Sequence, residues 1–206
     1  MITFDAVYKW YYRGKAALPP VLGELSLAVE EGGFICVLGS SGCGKTTLLN
    51  LVAGFIAPSR GQVLFRGKEI HGPGPDRGVV FQEATLFPWR TVWQNVAFGL
   101  EIRGAKGQPL QKTVRQHLEL MGLTDHADKY PYTLSGGMRQ KVAIARVLAL
   151  DPQILLMDEP FRPLMPTVVN ASRTKCCDFG KTSGARCYTS PTVWRRLPIW
   201  LTASSY

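Results

Sequence analysis

Gly39-Ser-Ser-Gly-Cys-Gly-Lys-Thr46 decides the fold because of what stands on either side of it. Before it, Phe34-Ile-Cys-Val-Leu38 is a continuous apolar run of the kind that a strand buried on both faces requires. After it, Thr46-Thr-Leu-Leu-Asn-Leu-Val-Ala53 has helical spacing and stops at Gly54. The eight residues fit the pattern G-x-x-x-x-G-K-[ST]. Glycines there let successive backbone N–H groups turn inward around phosphate oxygens, and the following helix adds the positive end of its dipole. In this pattern Lys45 reaches the β- and γ-phosphates of a nucleotide as a point charge, and Thr46 offers its hydroxyl to Mg²⁺. Strand, glycine loop and helix in series predict an α/β core.

Toward the N-terminus, alternating apolar residues at Ile2, Phe4 and Ala6, and again over 21–29, predict half-buried strands separated by Leu18-Pro-Pro-Val21. That opening is expected to be antiparallel. Toward the C-terminus, short strands are predicted at 62–65 and 78–81. Helical character then runs from about 92 to 123, with Leu110, Val114, Leu118 and Met121 on one stripe. A second helix is predicted over 136–150, and a buried strand over 153–157 runs into Asp158-Glu159.

Those two acids are the second anchor that a phosphate loop needs. Asp158 is expected to hold Mg²⁺ through water, and Glu159 to polarise the water that attacks the γ-phosphate. Taken alone, two acids after a strand are an ordinary solvated strand end. Beside a phosphate loop the preference reverses. His117 and His126 sit on or beside the helical stripe and are expected to be surface residues.

The 206 residues are 46% apolar, which suits a packed domain and excludes a disordered tail or a disulfide-held mini-protein. A formal net charge of +9 by itself suggests a nucleic-acid or anionic-membrane partner. Its distribution argues otherwise: residues 162–206 hold seven of the 24 basic side chains and the single acid Asp178. The five cysteines have no framework spacing and fit reduced thiols. The start, Met-Ile-Thr-Phe-Asp, lacks the basic and apolar regions of a signal peptide, and no apolar run reaches about 18 residues, so a cytoplasmic chain is expected.

Leu134-Ser-Gly-Gly-Met-Arg-Gln140 opens the second long helix, and its last residue lies 18 positions before Asp158. By itself it is a capped helix start with further N–H groups able to meet an anion. With the two nucleotide motifs it makes the chain resemble the ATP-binding subunit of an ABC transporter, whose signature is L-S-G-G-x-x-Q. Gln82, after Gly78-Val-Val-Phe, resembles the glutamine that contacts Mg²⁺ and the attacking water in that family. Leu86-Phe-Pro-Trp89 looks like the apolar patch that receives a coupling helix of the membrane partner; surface aromatics beside a turn are the plainer alternative. Tyr11 resembles the aromatic that stacks on adenine, with Trp10 and Tyr12 as competitors.

Within the family, His71-Gly-Pro-Gly-Pro-Asp-Arg-Gly-Val-Val-Phe-Gln82 and Leu86-Phe-Pro-Trp-Arg-Thr-Val-Trp-Gln-Asn-Val-Ala-Phe-Gly99 look like the branch importing taurine, aliphatic sulfonates or nitrate. The resemblance covers about residues 1–161. It implies ATP and Mg²⁺ as ligands, bound by Gly39, Ser40, Ser41, Gly42, Cys43, Gly44, Lys45, Thr46 and Thr47. It also implies a homodimer in which Ser135, Gly136 and Gly137 of one chain complete the phosphate site of the other. Closing that dimer drives a pair of transmembrane permease subunits, supplied by a periplasmic solute-binding protein, at the cytoplasmic face of the inner membrane. A soluble ABC ATPase acting on nucleic acid is the competing class, and the single cassette and the 86–89 patch weigh against it.

The resemblance stops after Glu159-Pro-Phe161. The family continues with a loop such as Ser-Ala-Leu-Asp, two more strands and a histidine at the γ-phosphate, whereas the last histidine here is His126. The fold expected is therefore an α/β P-loop core with an antiparallel β subdomain and a helical signature subdomain (about 84–150), lacking its C-terminal core strands. Residues 162–206 are expected to be a basic tail translated out of frame. A message TTT TCG GCC CTT GAT GCC, for Phe-Ser-Ala-Leu-Asp-Ala, becomes TTT CGG CCC TTG ATG CC on loss of one T. That translates as Phe-Arg-Pro-Leu-Met-Pro, the residues at 161–166. A truncated product that binds ATP without hydrolysing it is the corresponding alternative. A genuine tail module would have to use Cys176, Cys177 and Cys187 as zinc ligands, which lack a paired C-x-x-C or nearby His, or touch lipid or nucleic acid through Arg195-Arg196. Sequencing the gene decides between these: the shifted frame beyond codon 161 is expected to encode a Leu-Asp loop and a later histidine, and a gene with neither in any frame contradicts the frameshift.

Overall fold

The computed structural model describes residues 1–158 and, as backbone strands, 176–178, 186–189 and 199–204. In chain order the first elements are β1 (Ile2–Lys9), β2 (Tyr12–Arg13), β3 (Ala16–Ala17), β4 (Leu22–Val29), β5 (Gly33–Leu38) and α1 (Lys45–Ala53). Then come β6 (Arg60–Phe65), β7 (Lys68–Glu69), β8 (Arg77–Val80), α2 (Val92–Ile102), α3 (Gly107–Met121) and α4 (Gly136–Leu148). Strands β9 (Ile154–Asp158), β10 (Cys176–Asp178), β11 (Arg186–Thr189) and β12 (Ile199–Ser204) follow.

Strand β1 pairs antiparallel with both β4 and β6, as the alternating N-terminal pattern predicts. The larger sheet has the order β10-β11-β5-β12-β9-β8, with β5, β12, β9 and β8 parallel. Strand β9 shows why a parallel strand must be apolar throughout. Ile154 and Leu156 pack with Leu48, Leu51 and Val52 of α1 on one face. Leu155 and Met157 pack with Ile144 and Val147 of α4 on the other. Period-two alternation thus serves two apolar layers instead of one layer and water. Each such fully buried aliphatic side chain contributes about 1.5–3 kcal/mol.

The long helical stretch is two helices, not one. Helix α2 ends at Ile102, the N–H of its cap Arg103 returns to the Gly99 carbonyl, and Gly104 takes φ +83° before α3 starts. Val92, Val96 and Ala97 of α2, Val114 and Leu118 of α3, and Val142 and Ala145 of α4 close a second core. Leu110 and Met121 lie at its margin, so the predicted stripe is the packed face.

The expected lack of C-terminal core strands needs correction. The backbone of β12 lies parallel between β5 and β9, with Ser204 opposite Leu38 and Ala203 opposite Asp158. Strand β11 pairs antiparallel with the other edge of β5. The physical reason is the ladder: without an intervening strand, β5 and β9 would each present unpaired N–H and C=O groups. Ile199-Trp-Leu-Thr-Ala-Ser204 is an apolar, β-prone run able to pair with both.

Candidate functional site

The phosphate loop joins the end of β5 to the start of α1. Gly42 and Gly44 hold φ +83° and +95°, a left-handed region that other residues rarely adopt. At Gly44 a side chain is doubly excluded, since a Cβ would lie 2.9 Å from Leu22 Cδ2 and 3.0 Å from the Val21 carbonyl oxygen. Lys45 is buried, and its Nζ donates to the carbonyls of Gly39 at 2.7 Å and Ser40 at 2.9 Å, with Cys43 Sγ 3.9 Å away. The loop thus curls around its own ammonium group. Ser40, Ser41 and Thr46 are exposed, and Thr47 is half-buried.

Thr46 Oγ1 donates to Asp158 Oδ2 at 3.0 Å. This bond spans 112 positions of sequence and exists because β5 and β9 run parallel and end at the same edge. A hydroxyl and a carboxylate side by side form a hard-oxygen pair suited to Mg²⁺, which binds few protein ligands and keeps company with phosphates. The donor chemistry fits a nucleotide with its metal: N–H groups and an ammonium for phosphate, oxygens for the cation.

The other expected site residues are distributed around this centre. Gln82 is exposed, one residue beyond Phe81 at the end of β8. Glu159 lies outside the described residues. Ser135 caps α4, its Oγ accepting from the Met138 N–H at 3.3 Å, while Gly136 is exposed and Gly137 half-buried. Among the described residues no hydrogen bond ties this helix start to the phosphate loop of the same chain. Tyr11 carries the Lys9 ammonium 5.2 Å above its ring, whereas Trp10 Nε1 donates to the Tyr12 hydroxyl at 3.1 Å. The side chains of Cys176, Cys177 and Cys187 lie outside the described residues.

Two residues that sequence reasoning passed over organise the surroundings. Asn95 is fully buried: its Oδ1 accepts from the Phe87 N–H at 2.9 Å, and its Nδ2 donates to the carbonyls of Phe87, Arg90 and Thr91. It fixes the 86–91 turn, where Trp89 is 71% exposed and the Phe87 ring meets Phe98 at 4.5 Å and Trp89 at 5.7 Å. The available signal was Thr91-Val-Trp-Gln94, a capping box that forms in full and places Asn95 one residue into the helix beyond it. Arg146 of α4 lies 5.3 Å from the Phe87 ring, and burial lowers its pKa below the ordinary arginine value.

A family model described as ABC transporter matches residues 22–162, and the chain belongs to that family. Over 153 residues the chain is 50% identical to the taurine import ATP-binding protein TauB of Escherichia coli (strain K12), covering 74% of this chain and 58% of that protein. It is 54% identical over 143 residues to an uncharacterized ABC transporter ATP-binding protein, MJ0412, of Methanocaldococcus jannaschii, covering 69% of this chain and 54% of that one. The chain therefore spans about half the length of these curated relatives. A solved dimer of the ATP-binding cassette MJ0796 in a post-hydrolysis state with ADP and Pi superposes with a TM-score of 0.76 at 26% identity, covering 99% of this chain and 88% of that one.

Replacing Asn95 by Ala takes the acceptor from the part-buried Phe87 N–H and the side-chain donor from the Arg90 carbonyl, while the Phe87 and Thr91 carbonyls keep the Arg90 and Asn95 backbone N–H groups, and is expected to lower stability by about 1–3 kcal/mol. Trp89→Ala, at an exposed position, is expected to stay within about 0.5 kcal/mol of the parent. Urea unfolding of both variants checks the contrast, and equal losses would contradict the placement of Asn95.

Proposed function

We propose that this chain is the ATP-hydrolysing subunit of an importer for taurine, a related sulfonate or nitrate. The 3.0 Å bond between Thr46 and Asp158 carries this reading, because it unites the phosphate loop with the acid strand at one point. The identity of 50% with a taurine import ATP-binding protein supports the solute class.

Lys45 exchanges the Gly39 and Ser40 carbonyls for β- and γ-phosphate oxygens, and the N–H groups of 42–46 together with the N-terminus of α1 hold the remaining negative charge. Thr46 and Asp158 hold Mg²⁺, which when bound neutralises charge developing on the phosphates. Gln82 approaches from the end of β8 to contact the attacking water, and Glu159 orients and polarises that water. Tyr11 stacks on the base.

Ser135, Gly136 and Gly137 serve the phosphate site of a second copy; the dimeric state of the cassette superposed above supports that arrangement. The 86–89 patch, held out by Asn95, receives a permease subunit, with a periplasmic solute-binding protein feeding that permease. The subunit thus works peripherally at the cytoplasmic face of the inner membrane, and among the described residues no helix is long and apolar enough to cross one. Residues 162–206 are an out-of-frame continuation whose run 199–204 fills the slot between β5 and β9.

Initial rates of Mg²⁺-dependent ATP hydrolysis at increasing protein concentration test the reading. The specific rate is expected to rise with concentration, as a site shared between two chains requires, and Lys45→Ala is expected to lower it about 100-fold or more. Binding of ATP without turnover contradicts the hydrolytic role, and absence of both contradicts the nucleotide site.

A further inference from the structure

Helix α4 faces the parallel sheet with Gln140, Ile144 and Val147, residues at i, i+4 and i+7 on one side. Ile144 and Val147 do what that face demands and pack against Val80, Leu155 and Met157. Gln140 is polar yet only 8% exposed, so its position requires a specific partner. Its Nε2 donates to the carbonyl of Phe81 at 3.1 Å. Phe81 is the first residue past β8, where the ladder with β9 has ended, and its carbonyl belongs to the peptide plane that leads into Gln82. Fixing that plane fixes where the Gln82 Cα stands, the point from which its side chain leaves the backbone.

Farther along α4, Arg146 takes hold of the same loop at its other end. Its guanidinium lies 5.3 Å from the Phe87 ring, and Nη2 is 3.4 Å from Thr85 Oγ1. The loop from 81 to 87 is thereby held by one helix at both ends, and the N-terminus of that helix carries Ser135 and Gly137. Gln82 itself is exposed.

We infer that Gln140 is a positioning residue for Gln82: its hydrogen bond to the Phe81 carbonyl holds the 82–87 loop against α4. The start of α4 and the Gln82 loop then move as one body, with Arg146 as the second grip. This rests on the proposed role of Gln82 in ATP turnover, while the mechanical part stands independently of it.

Gln140→Met keeps length and loses the donor, and Gln140→Lys retains an N–H donor of similar reach. Hydrogen exchange of the full chain without nucleotide reads the mechanical part. In Q140M the peptide spanning 81–87 is expected to exchange about tenfold faster, the effect of losing one ordinary hydrogen bond, with β9 unchanged. Q140K is expected to keep most of the protection. Unchanged exchange at 81–87 in Q140M, or faster exchange throughout α4 and β9, overturns the inference.

Steady-state ATPase assays read the functional part. Q140M is expected to lower kcat about tenfold while KM for ATP stays within about twofold, and Q82A/Q140M to be no slower than Q82A alone. Multiplying losses in the double variant would show that Gln140 does not act through Gln82, and would overturn the proposal. Loosened exchange in a chain whose parent hydrolyses no ATP would refute the proposed function while leaving the loop clamp intact.

Discussion

The hydrogen bond from Thr46 to Asp158 depends on a constraint that reaches most of the structure: two parallel strands must end at the same edge of one sheet. Parallel strands need crossovers, and the crossover from β5 begins with the phosphate loop itself and continues as α1. Because α1 covers one face of β9 and α4 the other, β9 is apolar until its last residue, where Asp158 emerges half-buried beside the hydroxyl of Thr46. The carboxylate sits where the hydrophobic layers end and the strand termini open, which is where ligands of open parallel sheets gather.

Helix α4 links this centre to the rest of the chain. Its first turn is capped by Ser135, its middle packs on β8 and β9, and its side chains grip the loop containing Gln82. The neighbouring turn is rigid for a different reason: Asn95 replaces missing backbone partners with a single amide, so Trp89 projects from a fixed base. An exposed aromatic on a preorganised turn loses little freedom when it meets a partner.

Much of this was legible in the residues. The phosphate loop, the buried strand before it and Gly54 as the stop of α1 follow from local pattern alone, and the Leu110, Val114, Leu118 and Met121 stripe marks the packed face of α3. What escaped was set by tertiary partners. The predicted strand over 78–81 ends instead at Val80, because the Phe81 carbonyl bonds to Gln140 instead of a neighbouring strand. Gln140 looked like the tail of a motif, and its burial depends on α4 meeting β8. Asn95 drew no reading by itself, because its four bonds run to a turn whose path the sequence pattern does not specify. Strand β12 was missed since 199–204 lies among prolines and loses the period of its surroundings; the open ladders of β5 and β9, not local propensity, give it a place.

A crystal structure with Mg²⁺ and a non-hydrolysable ATP analogue would show whether the phosphate loop and Asp158 form one site. The metal is expected about 2.1 Å from Thr46 Oγ1, the distance Mg²⁺ takes to oxygen, with Asp158 facing it. Lys45 Nζ is predicted to have left the carbonyls of Gly39 and Ser40 for phosphate oxygens. Nucleotide bound elsewhere, with Lys45 still on those carbonyls and Thr46 still bonded to Asp158, would contradict it.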